Sequence, residues 1–131
     1  MRARLLAVAL ALSSCVAEVD GEPVPVVTTG FLTVDWSISG FQDPAACLQS
    51  SSDVIRLAIE TADGLSAGEF EDACTVFRTS IELEPGDYHG DAVLLDASGD
   101  ARTTPVDLGL VRIDGDDELV VPIDFPTDSF Y

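Results

Sequence analysis

The sequence is poor in positive charge and in histidine, the usual base for an activated nucleophile. Its 131 residues include no lysine, six arginines and one histidine, against 24 acidic residues, and the formal net charge is −18. Such a chain repels nucleic acid, which is itself a polyanion, so we expect no nucleic-acid partner. It has no glycine-rich phosphate-binding loop and no heptad repeat. We therefore expect a protein that is not an enzyme. Its acidic surface favours cationic partners or divalent ions, or serves only solubility or a salty habitat.

The sequence also lacks an apolar run of membrane-spanning length. Residues 5–12 are all apolar, but eight helical residues span only about 12 Å against about 30 Å of hydrocarbon. Arg2 and Arg4 precede this run, and small residues follow it. A positive start, a short apolar stretch and a small-residue cleavage site are typical of a secretory signal peptide. The pattern predicts a signal helix within residues 1–14 that is removed on export.

The residues at the cleavage point are Leu12-Ser13-Ser14-Cys15. They resemble the bacterial lipobox, an aliphatic residue and two small ones before a cysteine. In that family the thiol receives a diacylglycerol and the new amine is usually acylated, and two or more chains anchor stably. The resemblance implies an exported protein held on a membrane through Cys15. Val16 is not the Asp that retains Gram-negative lipoproteins at the inner membrane, so a Gram-negative host implies the outer membrane. The alternative is an ordinary signal with a chance cysteine.

Removal of residues 1–14 leaves four arginines against 24 acids, a formal charge of about −20. Residues 15–29 form a predicted linker with three acids and two prolines, which favour extended backbone. The fourteen residues after Cys15, residues 16–29, reach at most about 45–50 Å when fully extended. Residues 24–27 alternatively form a first edge strand. We expect one domain over residues 30–126 and a short tail over residues 127–131.

Cysteine is scarce, and its count is informative. There are three cysteines, and if Cys15 carries lipid, Cys47 and Cys74 remain. An even pair in an oxidising compartment predicts a disulfide. Its loop of about 27 residues is worth roughly 3–4 kcal/mol in the chain-entropy model. A structural zinc site needs about four ligands, and the pair lacks C-x-x-C spacing, so zinc and redox roles are disfavoured.

Alternating residues predict strands rather than helices. Residues 31–38 alternate between apolar and polar side chains, which places Trp36 in the core rather than on a binding surface. Residues 40–52 have the composition of a loop. Further strands are predicted at 54–61, in two pieces over 68–83 with a break near Cys74, and at 93–95, 103–106, 108–113 and 118–125. Short strands separated by turn residues indicate an all-β fold.

A second resemblance lies in LEPGDY at residues 83–88 and LLDASG at residues 94–99. Together they are similar to the L-x-P-G-x-Y and D-x-x-G signature of transthyretin-like, carboxypeptidase-regulatory-like and Ig-like modules. The resemblance implies a single antiparallel β-sandwich of about seven strands. It also implies that Tyr88 fastens a corner by bonding to nearby backbone. Modules of these families are mostly non-catalytic stalks, spacers or binding domains.

Acidic clusters are the remaining candidates for chemistry. Calcium takes six to eight oxygen ligands from flexible loops. The main candidates for a calcium site crowd one turn: Asp114, Asp116, Asp117 and Glu118. A second acidic turn holds Asp96 and Asp100, and Asp87, His89 and Asp91 alternate along one strand face. Neither turn matches the EF-hand pattern, and solvated acidic turns need no metal.

These observations lead to a lipid-anchored envelope lipoprotein that is a non-catalytic binding or structural module. Its expected partners are the membrane, through the lipid, and an envelope protein or another cationic partner. An alternative is a calcium-dependent adhesion or surface-assembly module, which would make Ca²⁺ the one expected cofactor. A third hypothesis is a small acidic hydrolase, which requires a concave cluster of buried polar residues.

Overall fold

Strands form wherever polar and apolar residues alternate along the chain. The structure is a computed structural model that describes residues 28–131, so the predicted signal peptide, Cys15 and most of the predicted linker lie outside the described residues. The elements are β1 (Gly30–Ile38), α1 (Pro44–Gln49), β2 (Val54–Thr61), β3 (Ser66–Ala73), a first 3-10 helix (Cys74–Val76), β4 (Arg78–Leu83), β5 (Gly86–Leu95), β6 (Val106–Asp107), β7 (Val111–Ile113), β8 (Glu118–Phe125) and a second 3-10 helix (Thr127–Ser129). Among these residues no helix is long and apolar enough to span a membrane.

The strands form two sheets, which confirms the predicted all-β class. Sheet A has the order β4-β1-β8, and sheet B has the order β3-β2-β5-β6 with β7 also paired to β5. The prediction of a wholly antiparallel sandwich is wrong at one place, because β1 and β8 run parallel. The described residues contain eight strands rather than about seven. Gly109, with φ +80°, separates the short β6 and β7 where longer strands were predicted.

The strand directions give the domain two distinct ends. The chain enters sheet A at Gly30, and the turns at residues 62–65, 84–85 and 114–117 lie at the same end, here called the tether end. Opposite lies the far end, formed by α1, both 3-10 helices and the turn after β5. The nine residues of β1 separate the two ends by about 30 Å.

Apolar side chains from both sheets join in one buried cluster. Its largest member is Trp36 of β1, which is fully buried, and its indole Nε1 donates a hydrogen bond to the Cys74 carbonyl at 2.9 Å. This bond satisfies the one polar group that a buried tryptophan carries. Phe77 lies beside it with ring centroids 6.3 Å apart. The other large, fully buried apolar side chains are Phe125, Leu32, Ile55, Leu57, Ile59, Leu94, Val34 and Val111.

The predicted cysteine pair forms a disulfide at the far end. Cys47 lies in α1 and Cys74 opens the first 3-10 helix, and their Cα atoms are 6.1 Å apart. Both side chains are buried. The bond therefore fastens α1 to the connection between β3 and β4.

Helix α1 corrects the prediction of a loop over residues 40–52. Asp43 is the N-cap and accepts a hydrogen bond from the Ala45 N–H, and Pro44 occupies the first helical turn. Both residues are typical of helix starts. Six residues are too few to show a 3.6-residue period, so the pattern did not reveal the helix.

Tyr88 fastens the passage from one sheet to the other. Its hydroxyl donates to the Glu84 carbonyl at 2.7 Å, four residues upstream. The chain bends at Pro85 between β4 of sheet A and β5 of sheet B, so this turn is a crossover and not a hairpin. Burial and the nearby Glu84 carboxylate raise the pKa of Tyr88, so the phenol stays a donor.

The last residues are tied to the domain. The Thr104 N–H donates to the Ser129 carbonyl, and the Tyr131 N–H donates to the Arg102 carbonyl. Residues 127–131 therefore form part of the far end.

The double variant Cys47→Ala, Cys74→Ala tests the disulfide. We expect it to lose about 3–4 kcal/mol of unfolding free energy, because closing a 27-residue loop restricts the unfolded chain. Guanidinium unfolding of the variant and of the oxidised chain measures the difference. A loss below about 1 kcal/mol would show that the bond contributes little to stability.

Tyr88→Phe tests the corner. It removes one buried hydrogen bond while leaving the ring, so we expect a loss of about 1 kcal/mol in chemical denaturation. The matched control is Tyr131→Phe, because Tyr131 is 73% exposed. Equal stability of the two variants would contradict this role of Tyr88.

Candidate functional site

The outer face of sheet B carries an acidic depression of about 420 Å³. The register places Ala58 beside Asp91 and Glu60 beside His89, and it pairs Asp91 with Asp107. The methyl side chain of Ala58 leaves a hollow among these longer side chains. Gly90 and Pro105 complete the lining.

Electrostatic repulsion is concentrated on Asp91. Its pKa is raised, first by partial burial and then by the charges of Glu60 and Asp107. The ionised carboxylates of this depression therefore disfavour one another, and a neighbouring cation would relieve the repulsion. His89 is exposed at the edge, as its alternation with Tyr88 predicts.

A second concave surface, the far-end groove, lies between α1 and the second 3-10 helix and has a volume of about 400 Å³. Its apolar lining comes from the end of β1, from α1 and from the C-terminal segment: Ile38, Phe41, Ala45, Ala46 and Phe130. Its polar lining consists of Ser39, Asp43, Gln49, Ser50 and Thr127. The groove is more apolar than the acidic depression.

The acidic turn that the sequence offers as a calcium site has several of its groups engaged in hydrogen bonds. The Glu118 carboxylate accepts a hydrogen bond from the Thr33 hydroxyl at 2.5 Å, on the outer face of sheet A, so it is engaged there. The Asp117 carbonyl accepts from the Phe31 N–H, and the Asp116 N–H donates to the Thr29 carbonyl, so the turn braces β1. Asp114 and Asp117 close the turn through a backbone hydrogen bond of 3.3 Å.

The other acidic candidates are engaged in structural contacts. Asp96 Oδ1 accepts from the backbone N–H groups of Ser98 and Asp100 and so stabilises its own turn. Asp87 pairs with Arg112 at 3.2 Å instead of joining His89. Across residues 28–131, no three His, Cys, Asp or Glu side chains are placed to hold a metal ion together.

Sequence analysis placed His89 and Asp91 on one face but missed their neighbours. Glu60 and Asp107 join them only through the registers of β2 with β5 and of β5 with β6. A small residue at an outward position of β2, Ala58, is the one signal in the sequence. The sequence analysis also missed the far-end groove, because it did not predict α1, which forms one of the walls.

Comparisons with known proteins are informative about the fold alone. No protein-family model matches the chain, and no curated protein matches it. Among solved structures, it is similar to a leucine-rich repeat protein from Bacteroides thetaiotaomicron, with a TM-score of 0.52 and 14% sequence identity. The similarity covers 76% of this chain and 12% of that protein, so the chain spans a small part of its length.

Asp91→Asn tests the combined cost of burial and of like charges at Asp91 in the acidic depression. A raised folded-state pKa means that the folded chain holds this proton more tightly, so stability falls as the pH rises above the unfolded value. We expect the variant to be more stable than the parent at pH 7, by less than about 1 kcal/mol because the site is partly solvated. Urea unfolding measures the difference in unfolding free energy between variant and parent, and this difference should disappear below about pH 4.

Asp100→Asn is the control, because its carboxylate lies outside the depression. If both variants gain the same stability over the parent at pH 7, the cause is the overall negative charge of the chain and not the acidic depression.

Proposed function

We propose that this chain is a lipid-anchored envelope lipoprotein whose single domain is a non-catalytic binding module for a cationic partner. The observation that carries the proposal is the lipobox-like Leu12-Ser13-Ser14-Cys15 after a short apolar run and two arginines. Such a cysteine with two or more acyl chains holds a protein stably on a membrane. The host and the membrane leaflet stay open, and Val16 favours the outer membrane of a Gram-negative host.

The disulfide supports export. Structural disulfides form and persist outside the reducing cytosol, and Cys47–Cys74 is buried in the domain. Cys15 is then left as the cysteine that is free for lipid.

The fold supports a transthyretin-like or Ig-like module. Two sheets share one core, and Tyr88 bonds back to Glu84 at the passage between them. This contact is the corner that the LEPGDY resemblance implies. Modules of this kind are mostly spacers or binding domains, which agrees with a domain held on a linker.

The acidic depression supports binding over catalysis. General acid and base chemistry uses carboxyl groups in apolar, water-poor surroundings. Here Glu60, His89 and Asp107 are exposed and Asp91 is half-buried. A surface of this kind attracts cations without shielding a reaction from water.

Intact mass of the membrane-extracted protein tests the anchor. We expect a mature chain that begins at Cys15 with a diacyl or triacyl increment, and that gains two hydrogens when it is reduced under denaturing conditions. Cys15→Ser should lose the acyl increment, because a serine hydroxyl cannot form the thioether that carries the lipid.

Ser14→Ala is the matched control, because it keeps a small residue in the lipobox and should stay lipidated. A Cys15→Ser chain that still carries the acyl increment, or a mature wild-type chain without lipid, would refute the anchor.

A further inference from the structure

The far end carries an unusual share of exposed apolar surface. Eight large apolar side chains are exposed in the described part of the chain, and four of them, Phe41, Leu48, Val76 and Tyr131, lie at the far end. At the tether end the corresponding exposed side chains are Leu65 in a turn and Phe31 at the start of β1. Clustered exposed apolar side chains around a concave surface mark interaction sites. Of the four at the far end, Phe41, which is 68% exposed, lines one wall of the far-end groove, and half-buried Phe130 lines the other wall.

The walls of the groove are held in place. The disulfide fastens α1 to the first 3-10 helix, and Gln42 Nε2 donates to the Trp36 carbonyl at 3.0 Å. On the opposite wall, the hydroxyls of Ser39 and Thr127 are 2.8 Å apart and form a hydrogen bond. A groove that is already formed loses little conformational entropy when it binds.

The rim of the groove is acidic. Asp43 lines it, Asp128 follows its lining residue Thr127, and Asp124 accepts from the Gly40 N–H next to Ser39. None of the ten lining residues is basic. Arg102 reaches the groove from behind, where its Nε donates to the Ser50 carbonyl at 3.0 Å. The lining itself holds one acid, Asp43, and two more acids adjoin it against one arginine, so the surroundings of the apolar floor are negative.

We propose that the far-end groove is a docking site for a partner segment with an apolar or aromatic centre and lysine or arginine on its flanks. The apolar floor takes the centre, and the acidic rim complements the flanks. This inference deepens the proposed function. It rests on that function for the orientation of the domain on the membrane. With the anchor at the tether end, the groove faces away from the membrane.

Charge disfavours the other occupants. A second copy of this chain carries a net charge of −18 and no lysine. The predicted linker, residues 16–29, has three acids and no base, and anionic lipid is likewise repelled by the rim.

A peptide series tests the groove. The probe is a six-residue peptide with Phe-Leu between two pairs of lysines. One matched peptide carries glutamates in place of the lysines, and another carries Ser-Ser in place of Phe-Leu. The receptor is the full chain with Cys15→Ser, which has no lipid into which a peptide could partition. Backbone amide NMR should show shifts confined to α1 and residues 127–130 with the lysine and Phe-Leu peptide, and none with the matched peptides.

Variants of the chain separate the two parts of the recognition. Phe41→Ser should weaken binding about tenfold or more, because burying one large apolar side chain is worth that much. Its control, Leu110→Ser, alters a side chain of similar exposure outside the groove and should bind as the parent.

Asp43→Asn keeps an N-cap residue but removes the charge, so peptide binding should weaken about two- to fivefold at low salt. Near 1 M salt, the variant and the parent should bind the peptide equally. Asp63→Asn, at the tether end, is its control.

Four outcomes would overturn the proposal: no shifts at millimolar peptide, equal binding of the glutamate peptide, shifts away from the groove, or concentration-dependent self-association through Phe41. The lipid test is independent of these outcomes. If the peptide binds but the wild-type protein carries no lipid, the anchor is refuted and the docking site stands. If the wild-type protein carries lipid but no peptide binds, the docking site is refuted and the anchor stands.

Discussion

The fold depends most on a junction at the far end, where Trp36, Cys74 and Cys47 meet. The indole of Trp36 bonds to the Cys74 carbonyl, and the disulfide continues from Cys74 into α1. A six-residue helix has no stability of its own in water, so α1 exists because this junction and its N-cap hold it. One tryptophan thus connects the centre of sheet A, the crossover between β3 and β4, and one wall of the groove. The burial of both cysteines keeps that connection away from solvent.

The sequence predicts well what alternation alone determines. Strands predicted at 54–61 and 118–125 have those bounds in the structure, and the strand predicted at 31–38 begins one residue earlier. Each is long and has one apolar face, so its period is unambiguous. Alternation does not determine which strands are neighbours, and the parallel pairing of β1 with β8 follows only from the path of the whole chain. For the same reason, the sequence placed Asp91 on an outer face without bringing Glu60 and Asp107 to it.

Acidic residues have different roles in different parts of the domain. Asp96 and Glu118 accept hydrogen bonds that hold a turn and a strand in place, and Asp35 pairs with Arg78 at 2.9 Å. Asp91 instead lies where like charges crowd, at a cost to its ionised form. A high acid count therefore says little by itself. The contacts of each carboxylate distinguish the acids that hold the structure together from those that face solvent with no positively charged partner.

The position of β1 also determines how the domain bears mechanical load. The chain enters β1 at the tether end, and β1 is the central strand of sheet A, paired over six residues with β4 and over eight with β8. A pull between this entry point and a partner held at the far end runs along the axis of β1. Both ladders are then loaded in shear, so their hydrogen bonds share the force together instead of opening one after another from an edge. A linker that enters the domain at Gly30 would thus load the strand that is best placed to resist extraction.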